Sequence, residues 1–425
     1  MTLNEVIKIV NGKTKLNSNE EIKRIKTDTR KIEKGDVFIA LKGKNYDGNS
    51  FVEEAIKKGA IACITEYEKN DRCIKVDSTI KSLFALGNYI RNKYNIPLVA
   101  ITGSNGKTTT KDLLYNVLST RYNVLKNEGN KNNIIGVSET LFKLNSNHDI
   151  VVMEFGSNHI GEIRQLSLMC NPTLAIITNI GSSHIGHFKN KKNIFKEKTS
   201  IIDGMYNKKL IVNGDDKYLK KLKGIRCGLN KKNDLIAYNI EEYIDYISFN
   251  IYLDKEYKIV FNNPGVHFIN NILLVIKTGL YYNISIEDII ESINNYTLTN
   301  MRMNIVRNGS NTIINDCYNS SLESLSAGIN YLKNINQEKI LVIGDILELG
   351  KHSKKIHKKI NRILKKLNNK EVFTIGEYSK YINGKHFKTV DDFIKYIKLF
   401  SIQNKYIYIK GSRRINLDKF YDYIK

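Results

Sequence analysis

Residues 97–110 read PLVAITGSNGKTTT, and this stretch decides how the rest of the chain is read. Leu98, Val99, Ala100 and Ile101 are apolar in succession, as a strand buried on both faces of a parallel sheet must be. Gly103 and Gly106 then supply a turn, and Leu113, Leu114, Val117 and Leu118 return on one face of a helix. Strand, glycine loop and helix in that order surround an anion with backbone N–H groups and a helix N-terminus. A phosphate site built from Gly103, Ser104, Asn105, Gly106, Lys107, Thr108 and Thr109 is therefore expected. In it Lys107 reaches the terminal phosphates and Thr108 can ligate Mg²⁺. The spacing departs from the common G-x-x-x-x-G-K-[ST] pattern, because Ile101 stands where its first glycine would be.

Working outward, apolar runs at 150–155, 173–177 and 209–212 alternate with helix-length stretches, the pattern of a parallel α/β sheet. Glu154 closes the first of these runs, Asn179 and His184 follow the second, and Asn213, Asp215 and Asp216 follow the third. Ligands of open α/β sheets bind beyond the carboxyl ends of the strands, so these residues are expected around whatever the glycine loop holds. Upstream, strand-like pieces at 36–41 and 60–65 flank a helix at 51–58. Downstream, strands at 312–315 and 339–344 and in EVFTIG and YIYIKG surround a helix with Ile356, Ile360, Ile363, Leu364 and Leu367 on one face. The expected fold class is α/β in three domains. A small N-terminal unit spans 1–95, a central P-loop-type parallel-sheet unit 96–300, and a Rossmann-like unit 301–425.

A chain of 425 residues exceeds one ordinary core, in agreement with several domains. The formal charge of +24 raises a nucleic-acid reading, but the excess Lys is scattered over the whole length and forms no stripe. No nucleic-acid partner is expected; a basic surface instead favours anionic small substrates. Five cysteines without C-x-x-C spacing argue against a disulfide framework or zinc site. No signal-peptide pattern opens the chain and no window approaches the roughly 18 apolar residues of a span. A cytoplasmic monomer without membrane insertion is the expectation.

ITGSNGKTTTKD, residues 101–112, is very similar to the nucleotide loop of the Mur ligase family. Further blocks of that family follow in order: GNKNNIIG from 129, VVMEFGSNHIGEI from 151, IITNIGSSHIGHF from 176 and VNGDD from 212. NNPGVHFINN from 262, NDCYNSS from 315, GDILELG from 344 and KGSRR from 410 complete them. The DCYN and GDILELG blocks, with TDTRKIEKGDVFIALKG and YDGNSFVEEAIKKGA near the start, resemble the branch that adds D-alanyl-D-alanine to a UDP-linked muramoyl tripeptide. The resemblance implies an ATP-dependent amide ligase working through an acyl phosphate, in peptidoglycan precursor synthesis. A related ligase with another carboxylate or amine substrate is the alternative.

The resemblance also assigns roles. It implies two Mg²⁺ ions, held by Thr108, Glu154, His184 and Lys198, the last carbamylated by CO₂ so that a cation becomes an anionic ligand. Carbamylation needs the neutral amine, hence a buried lysine of lowered pKa. Lys107, Lys198 and His184 are the implied catalytic set. His267 and Asn271 are implied at the adenine, with Arg302, Asp316, Tyr318 and Asn319 near the nucleotide. Arg302 is open between that role and a hinge ion pair. Thr29, Arg30, Lys42, Gly43, Asp47 and Gly48 are implied contacts of the UDP substrate. Lys410, Ser412 and Arg413 are implied near the second substrate, or else lie on solvated surface. Asp345 and Glu348 either position the dipeptide or cap the following helix. The chain departs from the family's pattern at Gly186 and Ser200, where acidic residues are usual, and at Phe268, where Asn is usual. Ser320, Ser321 and Leu322 replace Ala-Asn-Pro. Phe268 either stacks on the base or packs in the core, and packing is expected.

Overall fold

The computed structural model describes residues 1–43, 46–67, 70–298 and 301–425. It holds three α/β units, as the apolar runs imply; the expected boundary at 300 falls beside Thr299 and Asn300, outside the described residues. In the first unit, β1 (Ile25–Lys26), β2 (Val37–Ile39), β3 (Ala62–Thr65) and β4 (Cys73–Lys75) form a parallel sheet in that order. Its helix Thr79–Lys93, capped by Ser78, packs against the helices Ile134–Leu141 and Glu162–Cys170 of the second unit.

Arg91 near the end of that helix is only 3% exposed. Its guanidinium donates to the carbonyls of Cys170 at 2.7 Å, Tyr94 at 2.8 Å and Asn171 at 3.4 Å. A cation thus satisfies carbonyls at a neighbouring helix's C-terminus, where the helix dipole favours it. Arg91→Ala orphans these buried acceptors and is expected to cost about 3 kcal/mol of stability, read as a lower urea midpoint.

The central sheet contains β5 (Leu98–Thr102), β6 (Val124–Lys126), β7 (Ile150–Glu154), β8 (Leu174–Ile177), β9 (Leu210–Asn213), β10 (Ile225–Gly228) and β11 (Leu235–Ile236). All are parallel, in the order β11-β10-β9-β8-β5-β7-β6. From β5 the chain first builds toward one edge and then returns to build toward the other. The sheet's switch point therefore lies at β5, whose C-terminal end opens a crevice. Strand alternation sends side chains to two cores. Leu98, Ala100, Val151 and Met153 share one core with Leu3, Val37, Ile64 and Leu83 of the first unit. Val99, Ile101, Val152 and Ile176 face the other, under the helices Lys107–Ser119 and His267–Tyr281, and that core runs on into Ile314, Leu325 and Tyr408 of the third unit.

A small antiparallel sheet of β12 (Tyr238–Glu242), β13 (Ile247–Tyr252) and β14 (Glu256–Phe261) is attached to the central unit. The third unit comprises β15 (Asn304–Asn308), β16 (Asn311–Asn315), β17 (Lys339–Gly344), β18 (Lys370–Ile375), β19 (Lys385–Phe387) and β20 (Tyr406–Lys410). Their order is β15-β16-β20-β17-β18-β19, parallel except for the β15–β16 hairpin. Among the described residues no helix is long and apolar enough to cross a membrane, and all five cysteines are free and buried.

Candidate active site

The loop after β5 is wedged between two elements. Gly103 has φ +146°, and a Cβ there would lie 2.0 Å from Thr178 Oγ1; Gly106, at φ +80°, would place one 2.6 Å from Asn271 Oδ1. Side chains at these positions are excluded by both space and backbone conformation. The residues after β8 cinch the loop: Asn179 O accepts from Ser104 N at 3.0 Å and Asn179 Oδ1 from Asn105 N at 3.0 Å. Lys107 opens the helix and its Nζ donates to the carbonyls of Gly103 at 3.0 Å and Ser104 at 3.4 Å. Enclosure holds this ammonium below the usual lysine range; Glu154 opposes it, and Arg302 adds to it less strongly.

Glu154 ends β7 in register with Ile101. It is 2% exposed, accepts from Thr108 Oγ1 at 2.8 Å and from Asn132 Nδ2 at 2.7 Å, and so meets the loop directly. Arg302 Nη2 donates to the same Thr108 hydroxyl at 3.0 Å, while its guanidinium lies 4.2 Å over the Tyr318 ring. Lys198, 3% exposed on the helix Lys191–Thr199, donates to Ser157 Oγ at 2.8 Å. Burial, and secondarily Lys107, pushes its amine down to about 7. Next to it, the buried Glu197 accepts from Gly161 N and Ile163 N and fixes the start of the helix Glu162–Cys170. His184 follows β8, and its Nδ1 lies against the carboxylate of Glu348 from the third unit.

Lys107, Thr108, Glu154, His184, Arg302, Tyr318 and Glu348 line one cleft of about 1030 Å³ between the second and third units. Lys198 does not line it but bonds Ser157, which does. His267 and Asn271, on one helix, also line it, Asn271 beside Gly106 of the loop, as do Asp316 and Asn319. His267 opens into the cleft but is walled by protein, which pushes its imidazole down to about 4. Phe268 is 4% exposed and packs on Phe261, the core role. Lys410 is also buried. Its Nζ bonds Asp316 Oδ2 at 2.7 Å and the carbonyl of Asn319 at 3.1 Å, and Tyr408 OH donates to the same Asp316 oxygen at 3.0 Å. The solvated-surface alternative for Lys410 therefore fails, since Asp316 draws it inside. Ser412 Oγ accepts from Leu347 N at 2.9 Å, and Arg413, half-exposed, pairs with Asp418 at 2.9 Å; both line the cleft.

Asp345 does not line the cleft: its carboxylate accepts from the backbone N–H groups of Glu377, Tyr378 and Ser379. It caps that turn, not the following helix. The six N-terminal residues also lie outside the cleft. Thr29 is buried, Arg30 pairs with Asp28 at the surface, and Lys42 bridges Asp47 in a turn where Gly43 N meets Tyr46 O and Gly48 N meets Leu41 O. Sequence reasoning passed over Asn132, Ser157, Glu323 and Arg414, which line the cleft. Asn132 lay within GNKNNIIG, but nothing in the sequence marks Glu323, the first-turn residue of a helix.

Thr108 and Glu154, an oxygen pair beside the phosphate loop, fit one side of a hard divalent cation. Among the described residues, no three of His, Cys, Asp and Glu stand together as a metal site. A second ion there would need one more anionic ligand, which carbamylation of the buried Lys198 amine would supply.

The Mur ligase middle domain matches residues 101–279, the Mur ligase glutamate ligase domain 301–413, and the Mur ligase family catalytic domain 21–102. The chain is 34% identical over 371 residues to the UDP-N-acetylmuramoyl-tripeptide--D-alanyl-D-alanine ligase of Bacillus subtilis, covering 84% of this chain and 80% of that one. It is 35% identical over 418 residues to the protein of the same name from Buchnera aphidicola subsp. Baizongia pistaciae, at 93% and 91% coverage. Among solved structures, MurF from Acinetobacter baumannii superposes with a TM-score of 0.93 at 28% identity, over 100% of this chain and 98% of that one. MurF from Thermotoga maritima, in complex with ADP, shares the fold at TM-score 0.87 and 24% identity, over 94% and 96%. With three domain matches in chain order and relatives above 30% identity over most of their length, the chain belongs to the Mur ligase family.

Proposed function

We propose that this chain is the ATP-dependent ligase that adds D-alanyl-D-alanine to UDP-N-acetylmuramoyl-tripeptide in the cytoplasm, as a monomer. The observation that carries the chemistry is the meeting of Lys107, Thr108 and Glu154 beneath Arg302 in a cleft walled by two units. The named relatives support the choice of substrates. In this reading residues 1–95 bind the UDP substrate through Thr29, Arg30, Lys42, Gly43, Asp47 and Gly48. Residues 96–300 bind ATP, and residues 301–425 close over both and hold the dipeptide beside Lys410, Ser412 and Arg413.

The tripeptide's carboxylate oxygen bonds to the γ-phosphorus of ATP as the bridging P–O bond to ADP breaks. The dipeptide's amine then attacks the acyl carbon, phosphate leaves with the C–O electron pair, and the nitrogen loses a proton to form the amide. Lys107 and the loop N–H groups hold charge that moves onto the leaving phosphate. Neutral His267 and Asn271 orient the base, and the Arg302 guanidinium is fixed by Tyr318 and Thr108. Thr108 and Glu154 would hold one Mg²⁺, and His184 with carbamylated Lys198 a second; these ions supply charge neutralisation of the phosphates.

The test is phosphate release from Mg²⁺-ATP with UDP-muramoyl tripeptide, with and without D-alanyl-D-alanine, with mass spectrometry of the product. Release that depends on both, with a pentapeptide product, is expected. If neither substrate stimulates release while ATP still binds, the substrate assignment fails.

A further inference from the structure

The turn after β8 and the loop after β17 belong to different units yet meet backbone to backbone. Gly186 N donates to Glu348 O at 3.0 Å. A Cβ on Gly186 would stand 2.7 Å from both Glu348 O and Gly350 N and 2.9 Å from the Leu349 carbonyl carbon. These are backbone atoms that cannot swing aside, and Gly186 itself does not occupy the left-handed region. Its missing side chain therefore serves approach and not conformation.

The same approach brings two side chains together. His184 Nδ1 is buried and lies against the Glu348 carboxylate. His184 and Glu348 are both held at positive φ, +56° and +62°, conformations that non-glycine residues rarely adopt, so each loop is bent to present its side chain to the other. Arg414 holds the other Glu348 oxygen at 3.4 Å. A second carboxylate of the third unit grips the same segment. Glu323 accepts from Ser182 Oγ at 2.6 Å and from Lys191 Nζ at 3.0 Å.

We propose that Glu348 is a positioning residue for His184, that it acts across the domain boundary, and that Gly186 is the vacancy that admits it. The carboxylate fixes the imidazole with Nδ1–H turned to Glu348 and leaves Nε2 as the ligand atom. Because the carboxylate arrives on another unit, docking of that unit and orientation of the histidine are one event. A side chain at 186 keeps the loops apart; glycine lets the third unit bring the Glu348 carboxylate to His184. The inference rests on the reading of His184 as a metal ligand.

Gly186→Ala and Glu348→Gln, made in the full chain, test it. Gly186→Ala adds one methyl inside a helical turn, where Ala is favoured over Gly, so the fold survives and only docking suffers. The expected result is a larger radius of gyration by solution scattering. In ¹⁵N-histidine spectra, the His184 resonances should lose the Nδ1–H tautomer pattern. Glu348→Gln should leave the scattering profile unchanged and weaken Mn²⁺ binding in the presence of ADP, followed by electron paramagnetic resonance, by about 10–100-fold. Parental scattering and His184 spectra in Gly186→Ala would overturn the proposal, as would parental Mn²⁺ affinity in Glu348→Gln while His184→Ala binds weakly. If His184→Ala itself binds Mn²⁺ like the parent, the metal reading fails, and the proposal with it.

Discussion

Lys107→Met should turn over at least about 10³-fold more slowly than the parent in a single-turnover assay of ATP consumption, with a urea midpoint no lower than the parent's. The lysine stands at the first position of its helix, with its ammonium folded onto the carbonyls of Gly103 and Ser104. Methionine keeps the stem and its packing but removes the charge. What is lost is attraction to phosphate oxygens inside an enclosed cleft, where a unit charge counts for more than in water. The fold survives its loss, because the loop is tied also by Asn179 and Thr178. Arginine should not restore activity: its planar fork cannot occupy the space of a compact ammonium. A Lys107→Met enzyme with parental turnover would remove the phosphate-loop assignment.

Lys198→Met should be inactive and more stable. With its amine pushed down to about 7 from an ordinary 10.5, the folded chain binds fewer protons than the unfolded chain between those values. Stability therefore rises with pH across that window, and below about pH 7 the full cost of a buried charge is present. Methionine removes that cost, less the loss of the bond to Ser157. A gain on the order of 3 kcal/mol is expected near pH 6.5 in CO₂-free buffer, shrinking toward zero by about pH 10. Thermal melts at pH 6.5 and 9.5 check the sign. ¹³C-bicarbonate should give a carbamate carbon signal in the parent and none in the variant. If the variant melts below the parent at pH 6.5, burial does not lower the amine's pKa.

The central fold was legible because its strands are buried on both faces, so Leu98–Thr102, Ile150–Glu154 and Leu174–Ile177 announce themselves as apolar runs. The sheet β12–β14 was not. One face of it is open, its strands carry Glu241, Glu242, Glu256 and Lys258, and Asn239 breaks the alternation at φ +50°. The strand β15 was missed for the same reason: Asn304, Arg307 and Asn308 dilute its pattern at the sheet edge. In the site, the phosphate loop and Glu154 lie close to strand ends and could be placed from the sequence. Burial of Lys410 could not, because it depends on Asp316, 94 positions earlier. Glu348 also reads as an isolated acid until the third unit is seen lying on Gly186.

The buried cysteines have a practical consequence. Burial pushes the thiols of Cys63, Cys227 and Cys317 up to about 12, and Cys170 higher still. Thiolate is the reactive species, so maleimide dyes should find almost nothing to label on the native chain. A cysteine placed at Tyr206 of the central unit, fully exposed, and another at Leu399 of the third, 79% exposed, would then carry a fluorophore pair without background. With that pair, opening and closing of the cleft becomes a distance that can be watched one molecule at a time.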